Sequence, residues 1–256
     1  INTNIALIKT LQSALVENNH SPDFVQLIES TERAATREFM QMSDYVDVLI
    51  PRGSGRLIKV VMENSKIPVL ETGAGNCHIF VDSSADFKMA LDIIENAKVQ
   101  RPSVCNAVEK VLIHESIASD FLTKLYARLN DRVQFKGCEK SLKINQAMEA
   151  ITEEELYDEF LDYKIGTIIV KDTLGAIAHI NKYSSSHSES IITKDDTNAE
   201  LFLNRVTSST VYHNASTLFT DGGKFGYGAE IGISTSKLHA RGPMGLKEMT
   251  TTKNIV

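Results

Sequence analysis

Amphipathic helical stretches alternate with short β-branched runs along all 256 residues, and that alternation most narrows the folds open to this chain. Repeated strand-helix units stack into a mostly parallel sheet covered by helices, so the fold class is α/β. A helix runs through Leu15, a strand-like run covers 24–28, and Thr31 caps a helix that ends at Phe39. Residues 45–50 read as a buried strand that passes through Pro51-Arg52-Gly53-Ser54-Gly55 into a helix over 56–64, and 67–70 return as another strand. The next strand is Cys77 to Asp82, followed by one long amphipathic helix from Ser84 to Val99. A polar, proline-bearing loop over 100–103 then opens a second lobe. It holds strands over 111–114, 166–170 and 211–214 and helices over 117–129 and 174–181.

Charge and cysteine usage exclude several classes of function. The 33 acidic residues outnumber 27 basic ones, the net charge is -6, and no Lys/Arg run supplies the footprint of a nucleic-acid binder. Cys77, Cys105 and Cys138 are odd in number and widely spaced, which fits reduced thiols in a cytoplasmic protein better than a disulfide framework. No apolar run approaches bilayer length and the start lacks a signal-peptide order, so no membrane partner is expected. The chain opens without Met, directly into an amphipathic helix, and reads as a piece of a longer protein.

Several residues carry candidate chemistry. Arg52-Gly53-Ser54-Gly55 stands between a strand and a helix, where backbone N–H groups can face a phosphate, although a plain strand-to-helix turn has the same pattern. Gly73-Ala74-Gly75 is open to the same two readings. Cys105 follows a proline-containing loop and is placed at a helix start, where the local dipole favours thiolate; the competing reading is a small buried hydrophobe. Cys77 beside His78 makes no metal pair, because no second Cys/His pair stands at zinc spacing, and no metal site is expected. Cys138, His114, His179 and His187 read as structural groups. In His239-Ala240-Arg241-Gly242-Pro243-Met244-Gly245 a histidine and a guanidinium sit among flexible glycines, suited to an anionic substrate or to a solvated loop.

Four stretches considered together carry a resemblance. Gln100-Arg101-Pro102-Ser103-Val104-Cys105-Asn106-Ala107-Val108-Glu109 resembles the cysteine motif of the γ-glutamyl phosphate reductase family. Ile50-Pro51-Arg52-Gly53, the run from Gly75 to Asp82, and the long run from Asn214 to Leu246 resemble further parts of it, so the similarity spans essentially the whole chain. The family belongs to the aldehyde dehydrogenase superfamily. The resemblance implies an aldehyde dehydrogenase-like fold: a partial Rossmann-type nucleotide-binding domain over 1–85, an α/β catalytic domain over 86–220, a return to the nucleotide domain over 221–248, and the start of an oligomerisation arm over 249–256.

The implied reaction is NADPH-dependent reduction of L-glutamyl 5-phosphate to L-glutamate 5-semialdehyde in proline biosynthesis, through a Cys105 thioester. The Cys105 and Asn106 amides are the implied oxyanion donors. Arg52, Gly53, Ser54, Gly55 and Glu159 are the implied cofactor-binding residues, with Glu159 holding the nicotinamide ribose. Asn214, Ser216, Thr217, His239 and Arg241 are placed near the substrate, and a homo-oligomer is implied for the full-length protein. Leu218 stands where the family pattern has arginine, and Ser184 and Ser186 replace glycines. Glu71 stands at the separation from Cys105 expected of the general base in hydrolytic aldehyde dehydrogenases. That keeps open an NAD(P)-dependent oxidising enzyme, beside a fused kinase partner upstream and a non-catalytic assembly fragment.

Overall fold

The computed structural model describes residues 1–53 and 55–256, and the chain divides into two compact units, 1–49 with 60–69 and 50–59 with 70–256.

In the first unit, α1 (Asn2–Glu17) is followed by a single 3-10 turn, Pro22–Phe24, where Ser21 Oγ accepts the Asp23 N–H. The expected strand over 24–28 does not form. Its backbone finds no ladder partner, and only the Val25 carbonyl is engaged from α1, by Gln12 Nε2 at 2.9 Å. α2 (Arg33–Phe39) starts two residues after Thr31, with Glu32 at the cap position and no side-chain cap bond. The two expected strands over 45–50 and 67–70 reduce to one parallel bridge between Leu49 and Val69. Tyr45, 86% exposed, shows why: an apolar run becomes a strand only where neighbours complete its hydrogen bonds. α3 (Gly55–Asn64) contributes residues to both units.

The second unit is a seven-stranded sheet. Its strands are β1 (Cys77–Val81), β2 (Val108–His114), β3 (Gln134–Gly137), β4 (Glu149–Ala150), β5 (Lys164–Val170), β6 (Ser188–Ile192) and β7 (Thr210–His213), in the order β4-β3-β5-β2-β1-β6-β7. Every pairing is parallel, so all amino ends share one edge. The α/β, parallel-sheet expectation holds. β1 is wholly buried because helices cover both faces, which is why Cys77-His78-Ile79-Phe80-Val81 reads as a near-continuous run rather than an alternating one.

The pleat divides the core in two. Ile79, Val81, Val111 and Ile113 pack with α4 (Phe87–Val99) and α5 (Ala118–Leu129) on one face. Phe80, Leu112, Ile168 and Ile191 pack with α7 (Thr173–Tyr183) and α8 (Asp196–Arg205) on the other. A short α6 (Glu139–Ile144) lies between β3 and β4 in sequence. Asp86, Asp172 and Asp195 cap α4, α7 and α8 by accepting from their first backbone N–H groups. The cap moves the start of α4 to Phe87, while Ser84 is drawn into a cluster with Asp82 and Thr193 beyond the carboxyl end of β1. A small antiparallel pair, β8 (Gly232–Ser234) and β9 (Gly242–Met244), follows. Among the described residues no helix is long and apolar enough to cross a membrane.

Candidate active site

Four segments meet at the amino-terminal edge of the sheet: Gly75-Asn76 ahead of β1, Cys105 ahead of β2, Glu159 ahead of β5 and Ser184 to His187 ahead of β6. Cys105 lies in a turn closed by Ala107 N–H on the Val104 carbonyl at 3.0 Å, not at the helix start that its sequence context suggested. The Cys77 Sγ donates to the Cys105 carbonyl at 3.3 Å. Gly75 explains the second glycine of Gly73-Ala74-Gly75. A Cβ there would fall on the Cys105 carbonyl, so the residue is a close-approach glycine, while Gly73 and Ala74 line the cavity beside Cys105.

Asn106 is held from behind. Its Nδ2 donates to the carbonyls of Leu218 and Thr220 at 3.3 and 3.0 Å, and its own carbonyl accepts from Thr217 Oγ1 at 2.7 Å. Position 218, where the family pattern has arginine, therefore meets Asn106 through its backbone. Among the described residues Asn106 Oδ1 is buried without a partner.

Cys105 opens into a cavity of about 360 Å³ in the second unit, shared with Arg52, Gly53, Gly55, Thr72, Ser103 and Glu159. The Glu159 carboxylate accepts the Gly75 N–H. Burial pushes the Cys105 thiol up to about 11, Glu159 and Glu230 add to the rise, and the Arg52 guanidinium opposes it. The free thiol is thus not pre-ionised. Burial also raises Glu159, against the Gly75 hydrogen bond and the Lys110 charge. Gly53 has φ 155°, and a Cβ on it would meet Leu57 Cδ2 at 2.8 Å. Ser54 lies outside the described residues.

Buried charges fix the loop that carries Glu159, and sequence reasoning missed them. Lys110 Nζ donates to Asn76 Oδ1 at 2.9 Å and to the Asp158 carbonyl, and stands 4.3 Å from the centre of the Phe160 ring. Glu109 accepts from the N–H groups of Phe160 and Leu161 at 3.2 and 3.3 Å and pairs with the fully buried Lys98 at 3.2 Å. Burial drives Lys110 down to about 8, pushes Glu109 up and Lys98 down, while mutual attraction opposes the shifts of the Lys98–Glu109 pair. The available signal was a Glu-Lys pair interrupting the apolar run of β2.

On β6, Glu189 accepts from the His78 N–H at 2.7 Å, Ser208 Oγ at 3.0 Å and Ser184 Oγ. Ser184, one of the two departures from glycine, is thereby used. Ser186, the other, has φ 64°, a left-handed conformation that glycine adopts freely.

The remaining sequence candidates fall elsewhere in the second unit. Asn214 follows the carboxyl end of β7 with φ 54°, accepting the Thr193 N–H and donating to its carbonyl, both at 3.0 Å. Ser216 is buried and accepts the Leu218 N–H at 3.3 Å. His239 is exposed, with φ 45° followed by 47° at Ala240, and Arg241 Nη2 donates to the Thr207 carbonyl. None of these lines the Cys105 cavity, and neither does Glu71. Among the described residues no group of three or more His, Cys, Asp or Glu is placed to hold a metal.

Residues 3–163 match the model of the aldehyde dehydrogenase family. The chain belongs to that family. Within it, a γ-glutamyl phosphate reductase of Petrotoga mobilis is 55% identical over 256 residues, all of this chain and 62% of the relative. The chain thus spans less than two thirds of the length of the curated relatives it matches. The crystal structure of γ-glutamyl phosphate reductase from Thermotoga maritima superposes with a TM-score of 0.95 at 48% identity, covering 98% of this chain and 61% of that one. An acetylating aldehyde dehydrogenase from Geobacillus thermoglucosidasius, 18% identical with a TM-score of 0.64 over 90% of this chain and 58% of its own, shares the aldehyde dehydrogenase fold.

Proposed function

We propose that this chain carries the thioester-forming centre of a γ-glutamyl phosphate reductase, which converts L-glutamyl 5-phosphate to L-glutamate 5-semialdehyde with NADPH in proline biosynthesis. The observation that carries this is Cys105 opening into the same cavity as Glu159 and the start of α3, in a chain more than half identical to a relative of that name. In the first step the Cys105 sulfur bonds to the acyl carbon, the carbon–oxygen bond to phosphate breaks, and the thiol proton balances the departing phosphate. The oxyanion formed at that carbon meets the backbone N–H groups of the Cys105 turn, with Asn106 braced by Thr217, Leu218 and Thr220.

The residues present suit a nicotinamide cofactor. Glu159 offers a carboxylate to a ribose hydroxyl, and Gly53 and Gly55 line the same cavity at the start of the ten-residue α3, the end of a helix that favours an anion. Bound there, the nicotinamide supplies the hydride that reduces the thioester and releases the aldehyde. On this reading 86–220 are the catalytic portion together with β1, which lies between β2 and β6 in its sheet, while the rest of 1–85 with 221–248 is the nucleotide-binding portion and 249–256 the start of the arm.

A hydrolytic oxidation needs a base near Cys105, and Glu71 does not line its cavity; the Glu71 backbone carbonyl instead accepts the Thr235 N–H at 3.3 Å. The test is oxidation of glutamate semialdehyde by NADP with and without inorganic phosphate, in wild type and Cys105→Ala. Phosphate-dependent turnover that Cys105→Ala abolishes, with cofactor binding kept, is expected. Equal rates without phosphate would overturn the reading.

A further inference from the structure

The cavity over Cys105 must receive a highly charged leaving group, and the two residues that sequence reasoning set aside for it, His239 and Arg241, are not in its lining. Arg241 already donates to the Thr207 carbonyl, and His239 is exposed beyond β8. Among the described residues that line the cavity, Arg52 is the one cation.

We propose that Arg52 is the anion anchor of this site: its guanidinium binds the phosphoryl group being displaced from the acyl carbon, and not the phosphates of the cofactor. The inference rests on the acyl-phosphate reading and adds a specificity-determining residue to it.

Three observations converge on Arg52. Its side chain faces the same space as Cys105 and Glu159, so an acyl phosphate under attack by the sulfur has its phosphoryl group within the field of the guanidinium. Gly232 of β8 makes room for it, since a Cβ at that position would stand 2.6 Å from Arg52 Nη1. No hydrogen bond or ion pair ties the guanidinium to another described residue, while its charge acts on the Cys105 sulfur. A guanidinium with its N–H fork uncommitted matches phosphate oxygens in pairs.

The chemistry asks for such a group twice. Before attack, the positive charge favours the thiolate over the thiol. During attack, as sulfur bonds to carbon and the carbon–oxygen bond opens, the electron pair leaves with phosphate and negative charge grows on its oxygens. One cation facing both atoms serves both stages. Glu159, on the same cavity, repels a phosphoryl group and keeps it on the Arg52 side. In the reverse direction, inorganic phosphate attacks the thioester from the same place, so its affinity reports on the anchor.

The test is the oxidative reaction of the intact protein, with phosphate titrated against saturating semialdehyde and NADP, in wild type, Arg52→Lys and Arg52→Met. Loss of one charge-assisted pair predicts a KM for phosphate raised roughly ten- to a hundred-fold in Arg52→Met. A smaller rise is expected in Arg52→Lys, with the NADP dissociation constant within about two-fold of wild type in both. Arg52→Lys keeps the test open should Arg52→Met fold poorly. A weakened NADP affinity at unchanged phosphate KM would hand Arg52 to the cofactor and overturn the inference, as would no change in either. Wild-type turnover that ignores phosphate would sink the acyl-phosphate reading itself, and the anchor with it; phosphate-dependent wild type with unaffected variants sinks the anchor alone.

Discussion

Gly75 gives its N–H to the Glu159 carboxylate while its α-carbon packs against the Cys105 carbonyl, so one residue fixes the spacing between Cys105 and the acid that shares its cavity. Gly75→Ala drives a methyl into that carbonyl. The expected result is a stability loss of about 1–3 kcal/mol in urea unfolding, as for other overpacked sites, together with a larger loss of turnover than of stability. Turnover equal to wild type in a folded Gly75→Ala protein would show that the contact does not set the geometry.

The high thiol pKa makes a kinetic prediction. Burial and two carboxylates hold Cys105 at about 11, so the thiolate fraction at pH 7 is about one in ten thousand. Alkylation of Cys105 by iodoacetamide, followed by mass spectrometry of its peptide, should accelerate about ten-fold per pH unit from 7 to 10. Glu159→Gln removes a repelling charge and should raise the rate at a fixed pH, whereas Arg52→Met should lower it. A plateau between pH 8 and 9 in wild type would contradict the assigned environment.

Lys98 and Glu109 are both fully buried and paired. Truncating one partner leaves the other charged in an apolar setting, so Lys98→Met is expected to cost about 3–5 kcal/mol. Because Glu109 also holds the N–H groups of Phe160 and Leu161, Glu109→Gln should speed hydrogen exchange at those two amides. Unchanged exchange there would separate the ion pair from the Glu159 loop.

Ser186 spends its backbone in the left-handed region at φ 64°. Ser186→Gly relieves that strain and is expected to stabilise the protein by about 1 kcal/mol, read as a raised urea midpoint with an unchanged slope. A lowered midpoint would mean that the serine side chain contributes more than its backbone costs.

The parts legible in the sequence were those where a single physical rule acts alone. β1, β2 and β5 announce themselves because strands buried on both faces carry continuous apolar runs, here 79–81, 111–113 and 168–170, and α5 and α7 because their apolar faces repeat at helical spacing. β6 was not legible. It begins Ser-Glu-Ser, and its buried Glu189 is acceptable only because His78, Ser184 and Ser208 come from distant sequence to satisfy it. The runs over 24–28, 45–50 and 67–70 failed for the opposite reason, having strand composition without a ladder to join. Cys105 and Glu159 are singled out in the sequence by motif likeness alone, and their sharing one cavity is not visible in spacing. The bracing of Asn106 by Thr217 and of Asn76 by Lys110 depends on contacts between segments that sequence proximity never relates.

The convergence of four segments on the amino ends of parallel strands has a consequence for what insertions and deletions the chain tolerates. Each segment is delivered to the site by the strand behind it, so one residue gained or lost within β1, β2, β5 or β6 inverts which side chains face each layer and drags a reacting or bracing group out of line. Added length beyond Val170, where β5 exits toward α7 on the far rim, leaves that delivery untouched. The geometry of the candidate site is in that sense indexed from one side of the sheet, with freedom to vary collected on the other.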